Sequence, residues 1–344
     1  MKYILMRKLW YLIPIPCLVG LFYFYPSQTS SPCYERIVYQ EVDDLSPSQI
    51  KQIFAPVDSI ELDEVWNNWQ SFDASSTSAS LISSIGYYQN RSVDLWQHTA
   101  QGNIHYGAVI LPASYNSLKT YPVLLWANGL DQRNPLISMD DSGFFQRLTG
   151  NFPTHIIVIP SYRGQAIEIG GQRYCSDGFF GDAYDGATDD ALRLLTLVKG
   201  KYPVDENRIS TFGISRGGTV ALLSGIRDSS INVIVSQSGP SLFHDHLPYE
   251  RYGFQFRYQF LSGGRSIKDV RKKLIRCSPS YFINRYRACL LLVHGKNDPI
   301  VPFDQAIIVQ EQGPACLDTI YTEDEHSVFK MAEVAQWING SKKF

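Results

Sequence analysis

The chain has 344 residues, of which 44% are hydrophobic and 19% charged, with a formal net charge of −2. That length and balance suit one large globular domain with a sizeable core and a smaller appendage. The near-neutral charge gives no electrostatic footprint for nucleic acid.

In chain order the first predicted element is "MKYILMRK", with Lys2, Arg7 and Lys8, followed by the uncharged run "LWYLIPIPCLVGLFYFY". A basic flank ahead of an apolar run of this length predicts an export signal or a short membrane anchor. Ser27 and Thr29 form a weak cleavage site. Cys17 and Cys33 each follow a proline, where a lipobox wants a small residue. The expectation is an uncleaved or poorly cleaved signal-anchor, basic end in the cytoplasm, with the remainder membrane-anchored or exported. Pro14 and Pro16 argue against a buried core helix here. Five cysteines follow, Cys33, Cys175, Cys277, Cys289 and Cys316. An exported chain permits disulfides, and an odd count leaves at least one thiol unpaired. There is no C-x-x-C and no H-E-x-x-H. His244 and His246 form a close pair without a second ligand pair, so neither a metal nor a cofactor is expected.

Residues 1–33 thus read as anchor and linker, 34–91 as a mixed, acidic N-terminal extension, and 92–344 as the main domain. "SFDASSTSASLISS" reads as a loop. "NIHYGAVILP", "YPVLLWANG" and "HIIVIPSYRG" read as strands, each stopped by Pro, Asn-Gly or a loop. Residues 182–201 carry apolar positions at helical spacing, Ala183, Ala187, Ala191, Leu194, Leu195 and Val198. "RISTFG" is a strand, 215–226 a helix, and "INVIVSQS", "ACLLLVHG" and "LDTIYTE" are strands. "FDQAIIVQEQ" and "SVFKMAEVAQWI" are helix-like. Strands with apolar cores alternating with helices predict an α/β fold, a mostly parallel sheet flanked by helices.

Gly213, Ser215 and Gly217 form G-x-S-x-G, which a chain of this length shows by chance about one time in ten. Its setting sharpens it. Ser215 directly follows a predicted strand and opens a predicted helix, as a nucleophile elbow requires. The glycines remove side chains that would clash, and the helix N-terminus offers the Arg216 N–H to an oxyanion. A serine needs a base and an orienting acid, in the chain order Ser, Asp, His. Asp298 lies just beyond the strand ending at His294-Gly295, and His326 just beyond the strand ending near Thr322. Alone, Asp298 would serve as a turn residue before Pro299, and His326 as an ordinary loop residue. Glu323, Asp324 and Glu325 sit too close in sequence to His326 to reach its far imidazole nitrogen.

From Tyr121 onward the sequence resembles the catalytic domain of the prolyl oligopeptidase family of serine peptidases, within the α/β-hydrolase superfamily. The matching stretches include "IPSYRGQ", "VDENRISTFGISRGGTVALL", "HGKNDPIVP" and "DEHSV". The resemblance covers about residues 100–340. It implies Ser215 as nucleophile, Asp298 as orienting acid and His326 as general base. Where the family has His or Tyr before Gly-Gly, this chain has Asn128, Gly129 and Leu130, which makes the Leu130 N–H the expected second oxyanion donor. Arg216 stands where many members carry an aromatic residue. The stretch ahead of residue 92 is too short for the propeller of many family peptidases, so recognition of a peptide amino end does not carry over. Residues of about 241–287, aromatic then basic, are the expected cap. Its "RSIKDVRKKLIR" reads as a solvated helix, or else as a lid favouring carboxylate-bearing ligands. The expected activity is a serine peptidase cutting short peptides; the alternative is a carboxylesterase acting on small acyl esters.

Overall fold

A computed structural model describes residues 42–130, 136–140 and 142–340. The predicted anchor at 9–25 lies outside the described residues. Among those described, no helix is long and apolar enough to cross a membrane.

The strands, in chain order, are β1 (Ser78–Tyr87), β2 (Arg91–Ala100), β3 (Asn103–Leu111), β4 (Tyr121–Ala127), β5 (Leu136–Ser138), β6 (Ile156–Ser161), β7 (Ala166–Ile169), β8 (Gln172–Cys175), β9 (Val204–Ile214), β10 (Val233–Gln237), β11 (Cys289–Gly295) and β12 (Leu317–Thr322). The helices are α1 (Pro47–Ile53), α2 (Ser59–Gln70), α3 (Ser142–Asn151), α4 (Asp185–Lys201), α5 (Arg216–Arg227), α6 (His246–Phe256), α7 (Ile267–Arg276), α8 (Asp304–Gln312) and α9 (Met331–Gly340).

Nine strands form one sheet in the order β1-β2-β3-β6-β4-β9-β10-β11-β12. The first three strands pair antiparallel, and β3 pairs antiparallel with β6; from β6 to β12 every pairing is parallel. Of the parallel strands, β4, β6, β10 and β11 are buried along their whole length because both faces are covered. In β4, Val123, Leu125 and Ala127 join the core under α4 and α5, while Leu124 and Trp126 join the core under α3 and α9. This is the two-residue alternation of a strand between two layers.

The serine-rich stretch expected as a loop holds β1, whose pairing with β2 places the start of the sheet at Ser78. It is an edge strand exposed along most of its length, so it tolerates small polar residues and lacks the apolar alternation that marks a buried strand. Cys289 and Cys316 form a disulfide between the starts of β11 and β12, and Cys175 is also disulfide-bonded. Cys277 is free and buried; burial pushes its thiol up to about 12, which keeps it protonated and inert.

α6 and α7 lie between β10 and β11, within the expected cap. The aromatic part builds a small core from Phe243, Phe256, Phe260 and Tyr184, with Leu130 packed against it. The basic part makes ion pairs with the rest of the fold. Arg271 pairs with Glu61, Lys272 with Glu64, Lys273 with Asp182 and Arg276 with Asp185, so these charges fasten α7 to α2 and to the start of α4.

Candidate active site

Parallel pairing decides where the predicted residues fall. Ala127 is in register with Gly213, Gln237 with Ile214 and with Val293, and Gly295 with Thr322. The carboxyl ends of β4, β9, β10, β11 and β12 therefore share one edge. The loops carrying Leu130, Ser215, Asp298 and His326 leave from it, where open α/β sheets present their sites.

Ser215 occupies the N-cap position of α5 with φ 57° and ψ −122°, a conformation that costs a non-glycine residue about 1–3 kcal/mol. The turn is held from both sides. The Ser215 N–H donates to the Gln237 carbonyl at 2.8 Å, and the Gly218 N–H donates to the Ser215 carbonyl at 2.8 Å. Both motif glycines are required by close approach. A Cβ on Gly213 would stand 1.9 Å from the Gly217 carbonyl oxygen, and one on Gly217 would stand 2.0 Å from that of Ala127.

His326 Nδ1–H donates to Asp298 Oδ2 at 2.7 Å. An ionised carboxylate only accepts, so this bond fixes the proton on Nδ1 and leaves Nε2 with a free lone pair. The other oxygen, Asp298 Oδ1, accepts from the Ile300 and Val301 N–H groups at 2.8 and 2.9 Å. Burial raises the pKa of Asp298. Hydrogen bonds from His294, His326 and the Val301 N–H outweigh it and hold the carboxyl well below the usual carboxylate range. Neither the Ser215 hydroxyl nor His326 Nε2 has a hydrogen-bond partner among the described residues.

Three contributors escape sequence reasoning. His294 is buried, donates from Nε2 to the Val301 carbonyl at 3.0 Å and lies 3.5 Å from Asp298 Oδ2, so it braces the acid loop. Its position four residues before Asp298 was the available signal. Ser238 has φ 48°, and its hydroxyl donates to the His326 carbonyl at 3.1 Å, which anchors the histidine loop from β10; the sequence carries no signal for it. The third is the Arg216 side chain. Arg216 is the first residue of α5, where a backbone N–H has no intrahelical acceptor. The residue is 2% exposed, and its guanidinium turns inward. Nε donates to the Asn128 carbonyl at 3.2 Å and Nη2 to the Gly129 carbonyl at 2.7 Å. Burial pulls it down to about 10, so it stays charged at neutral pH.

A family model described as BD-FAE matches residues 183–312, the span from α4 through α8 that includes Ser215 and Asp298. An acetyl xylan esterase from Paenibacillus sp. R4 superposes with a TM-score of 0.62 at 17% identity, over 87% of this chain and 100% of that one. The chain has the α/β-hydrolase fold. Porphyromonas gingivalis dipeptidyl peptidase 4 superposes with a TM-score of 0.55 at 17% identity, over 74% of this chain and 36% of the peptidase. In sequence it is 21% identical over 260 residues to dipeptidyl-peptidase 5 of Porphyromonas endodontalis, covering 70% of this chain. The resemblance to the prolyl oligopeptidase family stands on these likenesses. The chain spans about a third of the length of the curated relatives it matches.

Proposed function

We propose that this α/β-hydrolase is a serine hydrolase in which Ser215 attacks, His326 moves the proton and Asp298 orients the histidine. The observation that carries the reading is the pair His326 and Asp298 at 2.7 Å, on the sheet edge where Ser215 is held at φ 57°. His326 Nε2 takes the hydroxyl proton as Ser215 attacks a carbonyl, and later gives it to the leaving group. The N–H groups of Arg216 and Leu130 receive the oxyanion, each worth about 3 kcal/mol. Water then resolves the acyl-enzyme by the reverse use of the same base.

The first substrate reading is a short peptide, supported by sequence likeness to a dipeptidyl-peptidase 5. The second, a small acyl ester, is favoured by the match of this chain to an acetyl xylan esterase over that enzyme's entire length. The N-terminal apolar run suggests work at a membrane or outside the cytoplasm, in keeping with the Cys289–Cys316 disulfide. A fluorophosphonate probe tests the nucleophile: labelling should vanish in Ser215→Ala, and persistent labelling assigns another residue. Aminoacyl amides compared with short acyl esters separate the substrate readings, since cleavage of esters alone removes the peptidase.

A further inference from the structure

We infer that the Arg216 side chain is a positioning residue for the second oxyanion donor: by holding the Gly129 carbonyl it aims the Leu130 N–H at the acyl oxygen. This rests on the serine hydrolase reading above. The Gly129 carbonyl and the Leu130 N–H belong to one planar trans peptide unit, so they point in opposite directions. A guanidinium that captures the carbonyl at 2.7 Å therefore fixes the direction of the N–H. It also polarises the amide, which strengthens that N–H as a donor. The loop runs beside the nucleophile, since a Cβ on Gly129 would lie 4.0 Å from Ser215 Cβ. Asn128 is pinned on the other side, its Oδ1 accepting from Trp126 Nε1 at 2.8 Å and its Nδ2 donating to the Pro160 carbonyl at 3.2 Å. The Tyr162 ring, 4.8 Å from the guanidinium carbon, supports the arginine from beneath.

Stability alone does not account for this arginine. Arg163 pairs with Asp182, Asp189 and Asp190, and Arg227 with Asp185 and Asp189, whereas Arg216 has no carboxylate partner among the described residues. Buried Arg91 also binds carbonyls, but these are Thr149, Phe152 and Pro153 at the end of α3, where the helix dipole favours a cation. Arg216 is the first residue of α5, at the end where the dipole opposes a cation. It is desolvated, unpaired and at the adverse end of a helix, and it grips the loop that carries the donor.

The test compares Arg216→Met and Arg216→Lys with the unaltered protein on p-nitrophenyl acetate and its thionoester, in which sulfur replaces the carbonyl oxygen. Donors aimed at an oxygen anion serve the oxoester far more than the thionoester. Outright loss of a donor costs about 10²–10³ in kcat, and a misaimed one less. Arg216→Met should lose about 10–100-fold in kcat on the oxoester with KM nearly unchanged. The thionoester should change by less than about threefold, so the ratio between the substrates collapses. Arg216→Lys, which cannot span both carbonyls, should fall between, and it carries the test if Arg216→Met does not fold. Equal slowing of both substrates would make the arginine a structural clamp and overturn the inference. So would a rise in KM alone, which would mean the guanidinium binds substrate, or no change at all. Activity that survives in Ser215→Ala removes the serine hydrolase reading itself, a separate failure.

Discussion

Asp298 and His326 meet at 2.7 Å across the ends of two neighbouring parallel strands, β11 and β12, although 28 residues separate them. Gly295 in register with Thr322 brings the two loops to one height. The acid is then fully committed. One oxygen takes the imidazole and has His294 Nε2 3.5 Å away, and the other takes two backbone N–H groups. A carboxylate held this way cannot rotate, so the imidazole cannot either.

Asp298→Asn tests that commitment. An amide in this place offers an N–H where the imidazole needs an acceptor, and the wrong histidine tautomer follows. Steady-state kinetics should show kcat reduced by about 10³–10⁴ with KM little changed. Circular dichroism should show an intact fold. A variant within tenfold of the parent would mean that Asp298 only shapes its turn.

Gly295→Ala tests the height of the histidine loop. The added Cβ would stand 2.2 Å from the carbonyl oxygens of both Asp324 and Glu325, so the backbone leading into His326 must shift. A displacement of about 1 Å at a catalytic group costs on the order of 10²-fold in rate. The expected result is that loss in kcat, together with a lowered melting temperature. Unchanged kinetics would show that the loop absorbs the methyl group without moving the imidazole.

The parallel core was legible because residues such as Leu290, Leu292 and Val293 are apolar on both faces; Asp298 follows such a run, whereas Ser215 and His326 follow strands that are only partly buried. Legibility failed where burial is weak or strands are short. β1 carries serines because both its faces meet water, and β5, β7 and β8 form a separate sheet from strands of three to four residues, too short to show a period. It failed again at Arg216, because a sequence gives the place of a side chain but not the direction it turns. The basic run of α7 was misleading for a related reason: its carboxylate partners lie 91 residues away at Asp185 and about 210 away at Glu61.

Arg271→Met tests how the residues before the sheet are held. The Arg271 guanidinium donates to the Ile53 and Ala55 carbonyls at 2.7 Å, to the Pro56 carbonyl at 2.9 Å, and to both Glu61 oxygens. It thereby closes the end of α1 and the start of α2 onto the cap. Hydrogen bonds from a charged donor contribute about 1.5–3 kcal/mol each and do not simply add. Amide exchange across 47–70 should accelerate by at least about tenfold in the variant, while exchange in β9 and β11 stays slow. Uniform acceleration would mean that the segment folds as one unit with the sheet.

Acid sensitivity follows from two histidines far from the site. His98 is 1% exposed and His155 2% exposed, and burial lowers each to about 4. His105, stacked on His98 with ring centroids 5.6 Å apart, shifts in the same direction, again chiefly by burial. Folded values below the unfolded value of about 6.5 mean that the unfolded chain takes up protons first. Stability therefore falls as pH drops below about 6.5 and levels near pH 4, by up to about 1.4 kcal/mol per pH unit for each histidine. Asp298 shifts stability in the same sense, but only as pH falls through and below the unfolded carboxylate value near 4, so most of the two windows lies apart. Urea unfolding between pH 7.5 and 4.5 should show the slope. His155→Leu removes one titrating group and a buried Nδ1 without a hydrogen-bond partner among the described residues, and should flatten the slope while leaving turnover at neutral pH unchanged. An unaltered slope in that variant would move the acid sensitivity to another group.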